Sequence, residues 1–141
     1  MPYWSVVEGY SGTPLLIKLG IKETSAVAVV HAPVSFALEI PAGLHVRRQA
    51  SGRADVVVAF FTEKSRLAQE IDALGRMIIP SGGLWIAWPK KASKVVTDMT
   101  DHVVRDIALP LGLVDNKVCA IDATWSGLRL VWRVSLRDQL T

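Results

Sequence analysis

The sequence predicts a three-layer α/β fold, in which helices cover both faces of a mostly parallel β-sheet that ends in an antiparallel hairpin. Apolar, β-branched runs of strand length lack polar alternation, which is typical of strands buried on both faces. Stretches with helical spacing of apolar residues separate these runs. Because the 141 residues contain no linker or low-complexity tract, we expect one domain over residues 1–141.

The first half of the chain begins with a predicted short helix. Thr13 is expected to cap it, Pro14 suits its first position and Gly20 ends it. Three strands are then predicted at Ala26 to His31, Leu44 to Arg48 and Ala54 to Phe61.

The second half continues with a β-helix-β unit. Thr62 is expected to cap a helix whose apolar residues are Leu67, Ile71, Leu74 and Ile78. Pro80 to Gly83 ends that helix before the strand Leu84 to Trp88. Another helix is predicted from near Thr97 or Thr100 to Pro110 and Gly112. The last strands, Lys117 to Ala123 and Leu128 to Val134, are expected to be joined by a turn at residues 124–127.

Charge and composition argue against several classes of function. Sixteen basic and thirteen acidic residues give a net charge of +3, too small for a basic face, so no nucleic-acid partner is expected. The single cysteine, Cys119, lies in an apolar run and is predicted to be a buried, reduced thiol. No apolar run approaches the roughly 20 residues that span a bilayer, and the N-terminus lacks a signal-peptide pattern. We therefore expect a cytoplasmic protein without a membrane partner.

The order of elements from Ala54 onward resembles the second half of the Rossmann-like fold of S-adenosylmethionine (SAM) methyltransferases. The shared features are an Asp-led strand, a helix ending in Pro-Ser-Gly-Gly, the strand LWIAW, a helix and a closing hairpin. Three longer stretches, GYSGTPLLIKLGIK, GGLWIAWPKKAS and LVDNKVCAIDATWSGLRLVWR, are similar to a small bacterial family known only as a domain of unknown function. That resemblance implies a fold and a cytoplasmic setting, but no catalytic residues.

The usual cofactor-binding pattern of such folds is missing. The first predicted strand ends in His31-Ala32-Pro33, without the glycine-rich turn that lets a backbone approach a cofactor. The second ends in Arg47-Arg48, where an acidic residue would bind ribose hydroxyls. These arginines suit a 2'-phosphate, but without the glycine turn we interpret them as a solvated strand end. The sequence thus predicts no cofactor.

No metal or nucleophile site is predicted either. The histidines His31, His45 and His102 are scattered, and no paired-cysteine or HExxH spacing occurs. Acidic residues on the predicted helices, among them Glu63, Glu70, Asp72, Asp98, Asp101 and Asp106, are interpreted as solvated helix charge.

The best candidate ligand site is the stretch GLWIAWPKKASKVVT. Its lysines follow the carboxyl end of a strand, the place where open α/β sheets bind ligands, and precede a helix N-terminus that favours anions. Trp85 and Trp88 are expected to lie in the core on opposite faces of the sheet. The residues proposed for an anionic ligand are Tyr10, Ser11, Thr13, His31, Trp88, Lys90, Lys91 and Lys94.

Three hypotheses of function remain open from the sequence. The first is a non-enzymatic binding or regulatory protein on a degenerate methyltransferase-like scaffold, with a small anionic ligand. The second is an enzyme, either a divergent SAM-dependent methyltransferase or a hydrolase of small anions, with His31 or Tyr10 in proton transfer. The third is an interaction module whose final strand or tryptophan surface forms a homodimer.

Overall fold

A computed structural model describes residues 12–22, 24–37, 46–47 and 52–140. In chain order the elements are α1 (Gly12–Lys18), β1 (Val27–Val30), α2 (Val34–Ala37), β2 (Val46–Arg47), β3 (Val56–Phe60), α3 (Lys64–Met77), β4 (Gly83–Pro89), α4 (Asp101–Ala108), β5 (Leu113–Ala120), β6 (Trp125–Trp132) and α5 (Val134–Leu140). Short 3₁₀ turns lie at Lys91–Ser93 and Leu109–Leu111.

The strands form one sheet in the order β2-β1-β3-β4-β6-β5. The pairs β1–β2, β1–β3 and β3–β4 are parallel, whereas β4–β6 and β5–β6 are antiparallel. This arrangement confirms the predicted mostly parallel sheet with a C-terminal antiparallel hairpin.

Helices cover both faces of the sheet. On one face, α3 and α4 pack through buried residues such as Leu67, Ile71 and Val104. On the other face, Leu16 of α1 and Phe36 of α2 are buried. Residues of β1, β3 and β4 contribute alternately to these two clusters, which gives three layers.

Two buried indoles attach helical segments to the sheet. The Nε1 atom of Trp85 donates a hydrogen bond to the carbonyl oxygen of Leu19, just after α1, at 3.0 Å. On the opposite face, Nε1 of Trp132 donates to the carbonyl oxygen of Gly75 in α3, at 2.9 Å. Trp85 and Trp88 belong to different core clusters, which confirms that they lie on opposite faces.

The hairpin differs from its predicted boundaries. The strands are Leu113–Ala120 and Trp125–Trp132, so the turn falls at residues 121–124 rather than at 124–127. The Oδ1 atom of Asp122 accepts hydrogen bonds from the backbone amides of Thr124 and Trp125, each at 2.8 Å, and this closes the turn. Gly127 lies within β6, where a Cβ would come within 3.0 Å of Ile121 and 3.2 Å of the indole of Trp85. The chain then forms α5, where the sequence predicted that the strand would continue to Val134.

The start of α3 also differs from the prediction. Glu63, not Thr62, is the N-cap residue, and its side chain makes no capping bond. Instead Oδ1 of Asp98 accepts a hydrogen bond from the backbone amide of Lys64, at 2.8 Å. A carboxylate from a distant loop thus satisfies one free amide of the helix and complements its dipole.

Three other ends of helical segments agree with their sequence signals. Thr100 caps α4, since its Oγ1 accepts a hydrogen bond from the amide of Val103 at 3.2 Å. Gly20 and Gly112 adopt left-handed backbone conformations, with φ of 76° and 96°, after the segments that they terminate. Within the residues that the structure describes, no helix is long and apolar enough to cross a membrane.

Candidate functional site

The order of the strands defines a switch point between β1 and β3. From β1 the chain adds β2 on one side, then crosses back to place β3 on the other side. Connections therefore diverge at the carboxyl ends of β1 and β3, and open α/β sheets bind ligands in the crevice formed there. A cavity of about 210 Å³ lies at this point, lined by His31, Phe60, Phe61, Thr62, Glu63, Arg66 and Trp125. We refer to it as the switch-point cleft.

His31 occupies a turn that favours glycine. It follows β1 directly and has a left-handed backbone with φ of 58°. For a residue with a Cβ this conformation costs roughly 1–2 kcal/mol. Its ring meets Phe61 edge-on, with centroids 5.6 Å apart, and its Nε2 lies 2.8 Å from Oε1 of Glu70. Two contacts thus fix the orientation of an imidazole whose backbone is strained.

Glu70 links His31 to Arg66 across the first half of α3. Its Oε2 accepts a hydrogen bond from Nε of Arg66 at 2.9 Å. Burial alone would raise the pKa of the Glu70 carboxyl, but the hydrogen bonds from Arg66 and His31 together outweigh burial and lower it. Glu70 is therefore ionised at neutral pH and acts only as an acceptor.

Aromatic side chains form the apolar wall of the switch-point cleft. Trp125, the first residue of β6, meets Phe60 edge-on with ring centroids 5.1 Å apart. Phe60 in turn packs against Phe36 of α2 at 5.0 Å. The antiparallel strand β6, not the parallel part of the sheet, supplies Trp125 and so closes this side of the cleft.

Lys90 fixes that turn against the end of β4. Its backbone amide donates to the carbonyl oxygen of Thr124 at 2.8 Å, and its Nζ donates to the carbonyl oxygen of Asp122 at 2.7 Å. The ammonium group thus bonds to the backbone of the turn that precedes Trp125. Lys90 contributes to the shape of the cleft through this turn and does not line it.

The other residues proposed from the sequence lie apart from the cleft. Trp88 is buried in the core, and Lys91 and Lys94 are exposed around the 3₁₀ turn. Residues 95–100, which belong to no helix or strand, separate these lysines from α4. Thr13 lies within α1, and its side chain, like Tyr10 and Ser11, lies outside the described residues. Among the members of the proposed set that the structure describes, only His31 lines the cleft, and a ligand role for the others stays a prediction.

A second cavity adjoins the first at the N-terminus of α3. It measures about 450 Å³, shares Thr62 and Glu63 with the cleft, and is otherwise lined by Val96, Thr97 and Asp98. The Oγ1 atom of Thr97 donates to the carbonyl oxygen of Thr62 at 2.6 Å, so the loop after β4 is attached to the end of β3. The side chain of Val96 is 93% exposed at its border.

Sequence reasoning missed Arg66, Glu70 and Trp125. Arg66 and Glu70 have the i,i+4 spacing of an ordinary surface ion pair, and their acidic member was interpreted as solvated helix charge. The contact that changes this interpretation joins Glu70 to His31, 39 residues earlier. The sequence predicts a turn at residues 124–127 that includes Trp125, whereas Trp125 is the first residue of β6. Among the described residues, no group of His, Cys, Asp and Glu could hold a metal ion.

Comparison with solved structures identifies the scaffold. A SAM-dependent methyltransferase from Aquifex aeolicus matches with a TM-score of 0.59 and 15% identity, over 85% of this chain and 88% of that one. The magnesium protoporphyrin IX methyltransferase from Synechocystis PCC 6803 with bound SAM matches with a TM-score of 0.54 and 12% identity, over 77% and 70%. The fold is Rossmann-like and methyltransferase-like. At these identities the likeness establishes the fold alone.

Comparisons based on the sequence, unlike those based on the structure, found no significant match. No protein-family model matches the chain, and no curated protein matches it significantly. The resemblance to a bacterial domain family therefore has no independent support.

The described residues do not fit SAM. In dinucleotide and SAM folds, a glycine turn after the first strand lets the backbone approach the cofactor. Here that turn keeps the left-handed conformation but carries the imidazole of His31, bonded to Glu70.

The strain at His31 predicts an unusual order of stability among its variants. His31→Ala and His31→Gly both lose the bond to Glu70, but only glycine relieves the left-handed backbone. The glycine variant should therefore be the more stable of the two. The free energy of unfolding of His31→Gly should exceed that of His31→Ala by about 1 kcal/mol. Urea unfolding of both variants measures the difference. An alanine variant as stable as the glycine variant would show that the turn is not left-handed.

The contact of Lys90 with the hairpin turn predicts a local effect on Trp125. Lys90→Met removes the bond to the carbonyl oxygen of Asp122 and should lower the free energy of unfolding by about 1 kcal/mol. It should also shift the indole ¹H–¹⁵N signal of Trp125. Lys91→Met, at an exposed neighbouring position, is the control and should change neither quantity. Equal effects of the two variants would contradict the positioning role of Lys90.

Proposed function

We propose that the protein is an enzyme that acts on a small anionic molecule in the switch-point cleft, with His31 as the proton-transfer residue. The observation that carries this proposal is the pairing of His31 with Glu70 at 2.8 Å, in a strained turn at the ligand-binding edge of the sheet. Strained residues and oriented titratable pairs concentrate at functional sites.

The hydrogen bonds assign the roles of the two imidazole nitrogens. Because ionised Glu70 only accepts hydrogen bonds, the proton of a neutral His31 ring lies on Nε2. The Nδ1 atom then carries the lone pair and can take a proton from a substrate. The positive charge that develops on the ring is stabilised by the carboxylate 2.8 Å away.

The lining of the cleft favours a small, partly planar anion. Arg66 uses Nε for Glu70, and no other described residue binds its two Nη groups, which can receive a carboxylate or phosphate. Phe60, Phe61 and Trp125 offer aromatic surfaces for an apolar ring. Glu63, on the same rim, disfavours a ligand that is negatively charged throughout.

A non-enzymatic ligand-binding protein is the second candidate. The small volume of the cleft and the absence of a glycine turn agree with a scaffold that has lost cofactor chemistry. The two proposals share the site and differ in the fate of the ligand, so a test must separate binding from turnover.

The test uses a library of small carboxylates and phosphates, with SAM included. Thermal shift should identify ligands that stabilise the wild type, and mass spectrometry should follow their conversion. His31→Gln keeps a donor for Glu70 but cannot take a proton, so it should retain binding and lose at least 100-fold in turnover. His102→Gln, on an exposed position of α4, is the matched control and should behave as the wild type.

Three results are decisive. Turnover that survives His31→Gln would exclude proton transfer by His31. Binding without turnover of any ligand would favour the non-enzymatic candidate. Tight binding of SAM would contradict the conclusion that the cleft does not fit it.

The lowered pKa of Glu70 also predicts a pH dependence of stability. A carboxyl with a pKa below its unfolded value contributes stability above that value, and the contribution is lost as pH falls through the folded pKa. The stability difference between wild type and Glu70→Gln should therefore be present above pH 4.5 and should shrink as the pH falls below that value. Urea midpoints across this range measure it. A difference that does not change with pH would show that Glu70 is not ionised in this contact.

A further inference from the structure

The cavity of about 450 Å³ beside the switch-point cleft, here called the adjoining cavity, has a wall that hydrogen bonds hold in place. The Oγ1 atom of Thr97 donates to the carbonyl oxygen of Thr62 at 2.6 Å. The Oδ1 atom of Asp98 accepts a hydrogen bond from the backbone amide of Lys64 at 2.8 Å. The loop after β4 is therefore attached both to the end of β3 and to the first turn of α3. The adjoining cavity is thus a fixed part of the assembled carboxyl edge.

Thr62 lies between the two cavities and lines both of them. It is partly buried and lies two residues after the end of β3. Its backbone carbonyl is bonded to Thr97, whereas its hydroxyl makes no hydrogen bond with any residue in the described ranges. Most polar groups that are shielded from water have a partner. The hydroxyl of Thr62 is therefore free to bond a ligand that passes from one cavity to the other.

The two cavities differ in charge. Arg66 lines only the switch-point cleft, Asp98 lines only the adjoining cavity, and Glu63 lines both. Glu63 and Arg66 are three positions apart at the start of α3, which corresponds to roughly 5 Å along the helix axis. A ligand with its anionic end at Arg66 can therefore extend past Glu63. In the adjoining cavity, the two carboxylates repel a second negative charge.

The adjoining cavity also offers an aliphatic surface. Val96 lines it, and the side chain of Val96 is 93% exposed. Covering this side chain with an apolar group removes apolar surface from water and favours binding. The cavity therefore suits an uncharged tail better than an anionic one.

We propose that the two cavities form one site, for an elongated ligand with an anionic end in the switch-point cleft and an uncharged tail in the adjoining cavity. The hydroxyl of Thr62 bonds the middle of this ligand, and Asp98 selects against a second anionic group. The inference rests on the proposed function, because that function places the anionic end at Arg66.

Three probes, compared by isothermal titration calorimetry, separate the parts of the site. Benzoate carries the anionic end alone. 4-Butoxybenzoate adds an uncharged tail with an ether oxygen that accepts a hydrogen bond. 4-(3-Carboxypropoxy)benzoate ends a tail of the same length in a second carboxylate. We expect 4-butoxybenzoate to bind the wild type at least tenfold more tightly than either of the other probes.

Thr62→Val and Thr62→Ser test the central hydrogen bond. Thr62→Val keeps the shape of the side chain and removes the hydroxyl, so it should weaken binding of 4-butoxybenzoate about fivefold and leave that of benzoate unchanged. Thr62→Ser keeps the hydroxyl and should bind both probes as the wild type does.

Asp98→Asn tests the selection by charge. The asparagine oxygen still accepts the hydrogen bond from Lys64, so the start of α3 is preserved. This variant should bind the dicarboxylate at least threefold more tightly than the wild type does, with no change for benzoate. Asp106→Asn, at an exposed position of α4, is the matched control and should alter the affinity for none of the probes.

The proposal would be overturned by 4-butoxybenzoate binding no more tightly than benzoate, by unchanged binding of 4-butoxybenzoate in Thr62→Val, or by unchanged binding of the dicarboxylate in Asp98→Asn. His31→Gln should leave the preference for the uncharged tail intact. Loss of this preference, with turnover that still depends on His31, would reject the elongated site alone. The preference without such turnover would reject the proposed enzyme alone.

Discussion

Burial of β1, β3 and β4 on both faces is the constraint on which the rest of the structure depends. Every residue of these strands is buried, and no polar or charged side chain is buried among the described residues. Parallel strands of this kind need crossover helices on both faces, which accounts for the two core clusters. Polar chemistry is thereby confined to the carboxyl edge of the sheet and to the antiparallel side.

At the carboxyl edge, side chains attach separate segments of the chain to one another. Glu70 orients His31 after β1, Thr97 attaches the loop after β4 to the end of β3, and Lys90 attaches the hairpin turn to the end of β4. Each of these bonds joins residues more than 30 positions apart, so the edge forms only when the whole sheet is assembled. Such preorganisation is what a small-molecule site requires, because strain at His31 persists only where surrounding contacts determine its conformation.

The fold was largely predictable, because long buried runs and helical periodicity are local signals. The strand at Ala54 to Phe61 and the apolar face of α3 follow directly from them. Predictions were wrong where a distant residue decides the local structure. Gly127 suits a turn, yet it lies within β6, where Ile121 and the indole of Trp85 leave little room for a Cβ. Thr62 looked like a cap, yet Asp98 supplies the carboxylate from another loop.

The candidate site was less predictable than the fold. The position of His31 after the first strand placed it near the crevice, but nothing local indicated its partner Glu70. The ¹⁵N chemical shifts of the His31 ring at neutral pH test this pairing most directly. A protonated Nε2 and an unprotonated Nδ1, with an Nε2 shift that changes in Glu70→Gln, are the expected result. A neutral ring protonated at Nδ1, or a ring insensitive to Glu70→Gln, would contradict the account.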